Sequence, residues 1–390
     1  MTASGPRLLV VDDNENNRYT LTQRLKRQGH TNVATAADGR EALAMLSAES
    51  FDLVLLDVQM PELNGFEVLE RMKADARLSH VPVIMISAVD QLESVVRCIE
   101  LGAEDYLPKP FNPVLLNARV GASLEKKRLR DATAAHLARI EAELDSAREI
   151  QLGMVPGEFP DPTPEAPAEV FATLQPARQV GGDLYDFFYP DRDTLCLVIA
   201  DVSDKGAPAA LFMAHTNSMI RMVVTLLRHQ VGGMPNPAQI IAQVNAELCR
   251  ANRAGMFVTV FLALLDLRTL TLSFCVAGHP KPLVIDRGGG VTPLQGPIGI
   301  PVGIQEPFEY ETGTHQLVRG DCLLLYTDGV TEAMNGEQDF YSDRRLEQVL
   351  AALAGLPPKT VIEKVIDSVT SFADGAPQAD DIAAMAVRVQ

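Results

Sequence analysis

The sequence predicts an α/β doubly wound domain with a five-stranded parallel sheet, followed by a helical coiled-coil linker and an α+β domain. From Arg7 to about Val120, short β-branched runs alternate with amphipathic stretches, a pattern typical of βα units. A charged, Ala-rich stretch without Gly or Pro follows between Ala122 and Gln151. Beyond Glu169, apolar runs are joined by tight turns or separated by pairs of helices, which indicates antiparallel sheets.

The first part, residues 1–122, contains five β-then-α units. The strand-like runs are RLLVV, NVATA, FDLVLLD, VPVIMIS and DYLPK. The helix-like stretches that follow them are YTLTQRLKRQG, EALAMLSAE, FEVLERMKAD, ESVVRCIELG and PVLLNARVGASL. Nearly continuous apolar strands that alternate with helices predict a parallel sheet covered on both faces.

The linker, residues 123–155, is expected to be a helix. Apolar residues recur there with 3-4-3 spacing at Leu137, Ile140, Leu144 and Ala147. Such spacing is compatible with a coiled-coil seam, and we favour a homodimer through this segment. Two heptads do not prove a coiled coil, and a surface helix packed on its own domain is the alternative. The proline-rich run PGEFPDPTPEAPAE that follows is expected to loosen contact between this helix and the downstream domain.

The last part, residues 156–390, mixes strands and helices. Strand-like runs include LCLVIAD, MFVTVFLALLD, LTLSFCVAG, DCLLLYTD and a final IAAMAVRV. Helices are predicted at about 207–230, 236–252, 342–354 and 358–373. The turn in LLDLRTLTL predicts an antiparallel hairpin.

Composition narrows the class of protein. The 390 residues include 34 Lys and Arg against 51 Asp and Glu, a formal charge of −17. This acidic balance argues against binding to nucleic acid or to an anionic membrane, because both need basic patches. The five scattered cysteines, the absence of a signal-peptide pattern and the absence of an apolar run of about 20 residues predict a cytoplasmic protein with reduced thiols.

Carboxylates in the first part stand at strand ends. Asp12 and Asp13 follow the first strand, and Asp57 ends the third. In an open parallel sheet these ends share one edge, so the three acids could bind a hard cation such as Mg²⁺. A carboxylate beside a metal can be a nucleophile toward phosphoryl groups. Ser87 and Lys109 end the fourth and fifth strands and would reach the same edge.

The segments VVDDNENN, LLDVQMPELNGFE, MISA and DYLPKPF resemble the receiver domain of two-component response regulators over about residues 6–122. The resemblance implies Asp57 as phosphoacceptor and a histidine kinase or phosphotransfer protein as phosphodonor. It also implies Mg²⁺ held by Asp12, Asp13, Asp57 and the carbonyl of Gln59, with Ser87 as switch hydroxyl, Tyr106 as switch aromatic and Lys109 as phosphate-binding cation.

A second set of acids stands beside strands of the last part. It comprises Asp183, Asp201, Asp328, Asp380 and Asp381. Carboxylates gathered in one site repel one another unless cations neutralise them, so a two-metal centre is expected. Two metals in such a centre activate water and bind the oxygens of a phosphoryl group that is being displaced.

The segments AREIQLGMVP, QVGGDLYDFF, ADVSDKGAPAALFM, AGHPKP, GPIGIPVG, LYTDGVTEAMN and QADDIAAM resemble the type 2C metal-dependent protein phosphatases (PPM), in their stage II sporulation protein E-like subgroup. The resemblance implies a β-sandwich flanked by helices, two Mn²⁺ or Mg²⁺ ions, and phosphoserine or phosphothreonine in a protein as substrate. It places Asp183, Asp201, Asp328, Asp380 and the carbonyl of Val202 at metal-ligand positions, with Asp381 beside them. In this subgroup the usual substrate is a phosphorylated STAS-domain anti-sigma-factor antagonist.

Three residues near these acids have open roles. Asp204 stands where many relatives have glycine, and we expect it to face solvent. His279 is interpreted as a structural, hydrogen-bonded histidine rather than an acid. Arg178 could contact phosphate or form an ion pair.

Two other functions compete with that of a phosphatase. The GGD triplet is also part of the diguanylate cyclase signature, but the residues after it do not fit. The main alternative is a non-catalytic adaptor whose last domain binds a regulatory protein. Retention of aspartate at all four metal positions favours the enzyme.

Overall fold

The structure, a computed structural model, describes residues 5–88, 92–163 and 167–390. The chain divides into two compact units, one up to Ile140 and the other from Glu141. The elements of the first unit are β1 (Leu8–Val11), α1 (Glu15–Arg27), β2 (Val33–Ala36), α2 (Gly39–Ala48), β3 (Leu53–Asp57), α3 (Gly65–Ala74), β4 (Val83–Ala88), α4 (Leu92–Glu100) and β5 (Asp105–Lys109).

The first unit is built on one parallel sheet with strand order β2-β1-β3-β4-β5. Alternate residues of each strand face opposite sides, so Leu8 and Val10 pack with α1 while Leu9 and Val11 pack with α2 and α3. Both faces of the sheet are therefore covered, as its apolar strands require. The predicted doubly wound fold is confirmed.

The fifth helix of the first unit and the predicted linker helix form one element, α5 (Pro113–Leu152). It passes through Gly121, where a side chain would meet no atom within 4 Å. Leu137 is 55% exposed and Ile140 is 40% exposed. The apolar stripe seen in the sequence therefore lies largely open in the single chain.

The second unit has two five-stranded sheets, with orders β13-β10-β9-β8-β7 and β12-β11-β14-β15-β6. The pairings within both sheets are antiparallel, and the predicted hairpin is the β9–β10 turn. The elements are β6 (Ala168–Gln175), β7 (Leu184–Phe188), β8 (Thr194–Val202), α6 (Ala207–Val231), α7 (Pro237–Ala251), β9 (Val258–Asp266), β10 (Thr271–Ala277), β11 (Leu283–Ile285), β12 (Val291–Pro293), β13 (Gly313–Gln316), β14 (Cys322–Tyr326), α8 (Asp328–Thr331), α9 (Asp343–Ala351), α10 (Pro358–Ala373) and β15 (Ile382–Val389).

The two sheets pack face to face around a shared apolar core. Phe261 and Leu197 from one sheet meet Leu325 and Met385 from the other. The helices α6 and α7 cover the outer face of the first sheet, and α9 and α10 cover that of the second. The predicted α+β sandwich flanked by helices is confirmed.

The chain after α5 is docked on the sandwich, which corrects the expectation of a loose proline-rich connection. Val155 is buried in the core between the sheets. The Phe159 ring lies 4.7 Å from that of Phe171 and 5.8 Å from that of Phe187, measured between centroids. Apolar side chains in this short segment outweigh the effect of its prolines. Residues 164–166 of the segment lie outside the described part of the chain.

Within the described residues, one helix is long and apolar enough, by length and composition alone, to cross a membrane. This helix is α6. Its residues Met213, Ile220 and Val224 are buried against the first sheet, as in the core helix of a globular domain. The five cysteines are free, and four of them are buried.

Candidate active sites

The first site lies at the carboxyl edge of the parallel sheet. Asp12 and Asp13 follow β1, and Asp57 ends the neighbouring strand β3. One carboxylate oxygen from each lies within 4.8 Å of the others. Asp12 and Asp57 are buried, whereas Asp13 is exposed. Three hard oxygen donors at this separation fit the donor set that Mg²⁺ prefers.

Lys109 reaches the same acids from the end of β5. Its Nζ lies 3.0 Å from Asp12 Oδ2 and 2.9 Å from Asp57 Oδ2. Burial raises the pKa of Asp57, and the hydrogen bond and charge of Lys109 offset only part of this effect. Burial alone would lower the pKa of Lys109, but its hydrogen bonds to the two acids raise it above the ordinary value. The ammonium is thus a fixed positive charge beside Asp57.

The remaining receiver positions lie around this edge. Ser87 is buried on β4, which is the strand next to β3. Gln59 is exposed two residues after Asp57. Tyr106 is half-buried on β5, with the Arg119 guanidinium 5.7 Å from its ring centroid.

Two supports of this site were not identified from the sequence. Asn17 Nδ2 donates to both carboxylate oxygens of Asp12 at 3.1 Å. A Cβ on Gly65 would lie 2.1 Å from the carbonyl oxygen of Asp57, so only glycine lets α3 begin this close to β3. The N-G pair in the segment LNGFE could have indicated this close approach.

The second site begins where β7 and β8 pair. Leu184 is opposite Ala200, so the same register carried one residue further places Asp183 opposite Asp201. The two carboxyl groups therefore lie beside each other across this strand pair. Burial and the neighbouring Asp201 raise the pKa of Asp183 well above its ordinary value. Burial and the charge of Asp328 raise the pKa of Asp201 to about 7.

Thr327 joins this acid pair to the second sheet. Its Oγ1 donates to Asp183 Oδ2 at 2.6 Å and accepts the backbone N–H of Ala383 at 2.9 Å. The next residue is Asp328, whose pKa is raised by burial and by the nearby charges of Glu332 and Asp380. The hydrogen bond of Thr327 to Asp183 was not predicted, although Thr327 lies in the sequence LYTDG directly before Asp328. A cleft of about 410 Å³ is lined by Asp328 and nine other residues, among them Lys281 and Asp343.

Asp380 and Asp381 differ in what they contact. Asp380 Oδ2 lies 2.8 Å from Lys205 Nζ. Asp381 is buried and accepts the backbone N–H groups of Ala177 and Gly182, each at 2.7 Å. Both oxygens of Asp381 therefore hold a loop. The ion pair of Asp380 with Lys205 was not foreseen from the sequence.

Glycines make room for this convergence. A Cβ on Gly181 would lie 2.2 Å from Asp381 Oδ2, and one on Gly329 would lie 1.8 Å from its carbonyl oxygen. The carbonyl oxygen of Val202 lies 3.0 Å from the position of a Cβ on Gly182. The pKa is raised at three carboxyl groups of this site, and divalent cations would neutralise such buried charges, although within the described residues only the receiver acids bring three carboxylate oxygens within 4.8 Å of one another.

His279 and Arg178 have different surroundings. His279 is buried, and its Nε2–H donates to the Tyr326 carbonyl at 3.1 Å while Nδ1 accepts from the Thr259 hydroxyl at 2.8 Å. Burial lowers the pKa of His279 to about 3. Both ring nitrogens are thus used in structural bonds. Arg178 is exposed, five residues before Asp183.

Asp204 is exposed, in agreement with the expectation, and has φ of 119°, a conformation that favours glycine. Its Oδ1 accepts the N–H of Lys205 at 2.8 Å. We expect the free energy of unfolding of Asp204→Gly to be about 1–2 kcal/mol higher than that of Asp204→Ala. Both variants lose this hydrogen bond, but only glycine relieves the backbone strain. Denaturant unfolding of the two variants measures the difference. Equal stabilities would show that the backbone here is unstrained.

The fold and the two acid sites together define a receiver domain joined to a PPM-type phosphatase domain. The family model described as response regulator receiver domain matches residues 8–121. The family model described as Stage II sporulation protein E (SpoIIE) matches residues 191–390, just over half of the chain. The chain therefore belongs to the stage II sporulation protein E family, with a receiver domain in front. Asp183 precedes the matched range.

Curated relatives match part of this chain. Protein IcfG of Synechocystis sp. is 31% identical over 266 residues, which are 63% of this chain and 41% of IcfG. The alkaline phosphatase synthesis transcriptional regulatory protein PhoP of Bacillus subtilis is 41% identical over 123 residues, 32% of this chain and 50% of PhoP. The chain thus spans half or less of the length of these curated relatives.

Among solved structures, the SiaA-PP2C domain of Pseudomonas aeruginosa matches with a TM-score of 0.57 at 23% identity. The match covers 66% of this chain and all of that domain. At this identity the likeness establishes the fold of the second unit.

Proposed function

We propose that the protein is a two-component response regulator whose output is a metal-dependent protein serine/threonine phosphatase, controlled by phosphorylation of Asp57. The observation that carries the phosphatase function is the placement of Asp183 opposite Asp201 beside the paired strands β7 and β8, where burial and neighbouring acids raise the pKa of both carboxyl groups. Buried carboxyl groups this close together are ionised at neutral pH only when cations neutralise their charges. The domains proposed are 1–122 for the receiver, 123–155 for the linker and 156–390 for the phosphatase.

In the receiver, the Asp57 carboxylate attacks the phosphorus of a phosphohistidine, and the phosphorus–nitrogen bond breaks as the imidazole leaves. Lys109 stabilises the added negative charge, because its Nζ already lies 2.9 Å from Asp57 Oδ2. Asp12, Asp13, Asp57 and the carbonyl of Gln59 are the residues that would hold Mg²⁺. Ser87 and Tyr106 would respond to the phosphoryl group as switch residues.

In the phosphatase, two Mn²⁺ or Mg²⁺ ions would supply Lewis-acid polarisation and an activated water when bound. Asp183, Asp201, Asp328, Asp380 and the Val202 carbonyl are the proposed ligands. Thr327 orients Asp183 through the 2.6 Å hydrogen bond. Asp381 holds in place the loop that contains Gly181 and Gly182, because it accepts two backbone N–H groups of that loop.

The partners follow from the two domains. The phosphodonor of the receiver is a histidine kinase or phosphotransfer protein, and the substrate is a phosphorylated STAS-domain anti-sigma-factor antagonist. Both would meet the protein in the cytoplasm. These assignments rest on the resemblance stated above.

The test of the enzyme is the release of phosphate from p-nitrophenyl phosphate and from a phosphoserine peptide, with Mn²⁺ and with chelator. Turnover that requires the metal supports the phosphatase. A folded protein that binds Mn²⁺ but releases no phosphate would instead favour the non-catalytic adaptor.

The α5 helix is proposed to form a homodimer through residues 123–155. Leu137 and Ile140 are exposed in the single chain and need a partner to be buried. We expect the double change Leu137→Asp and Leu144→Asp to convert a dimer into a monomer, because it would bury charge in the seam. Basal phosphatase activity should persist, while the response to phosphorylation of Asp57 should disappear. Light scattering and activity assays with a small phosphodonor measure both, and a monomeric wild type would contradict the dimer.

A further inference from the structure

Gln151 lies next to the last residue of α5, and its side chain is buried. Its carboxamide pairs with both backbone polar groups of Gly181. Nε2 donates to the Gly181 carbonyl at 2.6 Å, and the Gly181 N–H donates to Oε1 at 3.1 Å. Two bonds from one planar amide to one residue restrict both the distance and the orientation of that backbone segment.

Gly181 belongs to the loop 177–182, which leads directly into Asp183. Asp381 holds this loop from another side by accepting two of its backbone N–H groups. Gly181 is pressed so closely against Asp381 that a Cβ there would lie 2.2 Å from Oδ2. The loop therefore has two side-chain supports, Asp381 from the start of β15 and Gln151 from the end of α5.

The end of α5 is itself fixed to the sandwich. Val155 is buried between the sheets, and the Tyr185 hydroxyl donates to the Pro156 carbonyl at 2.8 Å. Tyr185 lies two residues after Asp183 on β7. The bond of Gln151 to the loop is thus part of a packed, buried junction between a helix end and the acid site.

We propose that Gln151 is a positioning residue for the metal site, which sets the backbone of Gly181 and through it the carboxylates of Asp183 and of Asp380 beside Asp381. The proposal rests on the proposed phosphatase function. Metal affinity depends on how well the ligands are held by the groups behind them. A change at the end of α5 would therefore alter metal affinity more than it alters the fold.

The test compares two buried amides that make the same kind of link. Gln151→Met keeps the shape of the side chain and removes both bonds to Gly181. Asn245 on α7 donates to the Gln305 carbonyl and accepts the Gly303 N–H, each at 2.8 Å, so Asn245→Leu is the matched control. All chains carry Asp12→Asn and Asp13→Asn, so that the receiver acids add no second binding event.

Mn²⁺ affinity is measured by calorimetry, and metal-free stability by thermal unfolding. We expect both variants to unfold at lower temperature than their parent. Gln151→Met should bind Mn²⁺ about tenfold more weakly, whereas Asn245→Leu should stay within about twofold. Gln151→Glu keeps an acceptor for the Gly181 N–H and loses the bond to the Gly181 carbonyl, so it should show an intermediate loss of affinity.

Unchanged Mn²⁺ affinity in the Gln151 variants, or an equal loss in Asn245→Leu, overturns the positioning role. A parent that binds Mn²⁺ while the wild type releases no phosphate overturns only the phosphatase function, and the affinity comparison still decides the role of Gln151. A parent that binds no Mn²⁺ overturns both.

Discussion

Asp201→Ala and Asp328→Ala are each expected to lower Mn²⁺-dependent phosphate release by about a thousandfold, because each would remove a proposed charged ligand worth several kcal/mol in the transition state. The fold should persist, since neither side chain belongs to the apolar core. Steady-state turnover and circular dichroism of each variant measure the two effects. Asp339→Ala, which changes an exposed aspartate of the same unit, should keep full activity. Comparable turnover in either folded site variant would remove these acids from the proposed site.

In the absence of metal, a substitution at Asp201 is expected to raise the stability of the protein, although it lowers activity when metal is present. Because the folded-state pKa of Asp201 is raised to about 7, its contribution to stability is full below its ordinary pKa and is lost as pH rises through about 7. We expect Asp201→Asn to lack this loss, so the metal-free variant should gain stability over wild type between pH 5 and pH 8. With Asp12→Asn and Asp13→Asn in both chains to remove the receiver site, added Mn²⁺ should stabilise wild type more than the variant. Denaturant unfolding at both pH values measures these differences.

Asp57 is expected to become acyl-phosphorylated by acetyl phosphate in Mg²⁺, and Asp57→Ala is expected to take up no label. The reaction needs a carboxylate beside the cation, and Lys109 supplies the second positive charge for the incoming phosphoryl group. Mass spectrometry of the intact protein measures the added mass. Asp75→Ala, a change outside the acid cluster, should be labelled as wild type is. Stable label on Asp57→Ala would refute Asp57 as the acceptor.

The fold and the grouping of the receiver acids were predictable because they depend on strand order and strand ends. Asp12 and Asp57 had to meet once β1 and β3 were neighbours in a parallel sheet. Alternation of strands and helices also determined which faces of the sheet needed cover.

The contacts between loops could not be predicted in this way. The bonds of Gln151 to Gly181, of Thr327 to Asp183 and of Lys205 to Asp380 join residues far apart in sequence. Single amides, hydroxyls and ammonium groups leave no periodic signal. The docking of Val155 was missed because prolines nearby indicated a break, while burial of a few apolar side chains decided the structure.

The central claim, that the receiver controls the phosphatase, is tested most directly by turnover of one phosphoserine substrate with and without acetyl phosphate. Wild type and Asp57→Ala are measured at the same Mn²⁺ and Mg²⁺ concentrations. We expect phosphorylation to change the turnover of wild type at least about threefold, a shift of roughly 0.7 kcal/mol in the barrier, and to leave Asp57→Ala unchanged. An active wild type whose turnover is the same with and without phosphate on Asp57 would contradict the account.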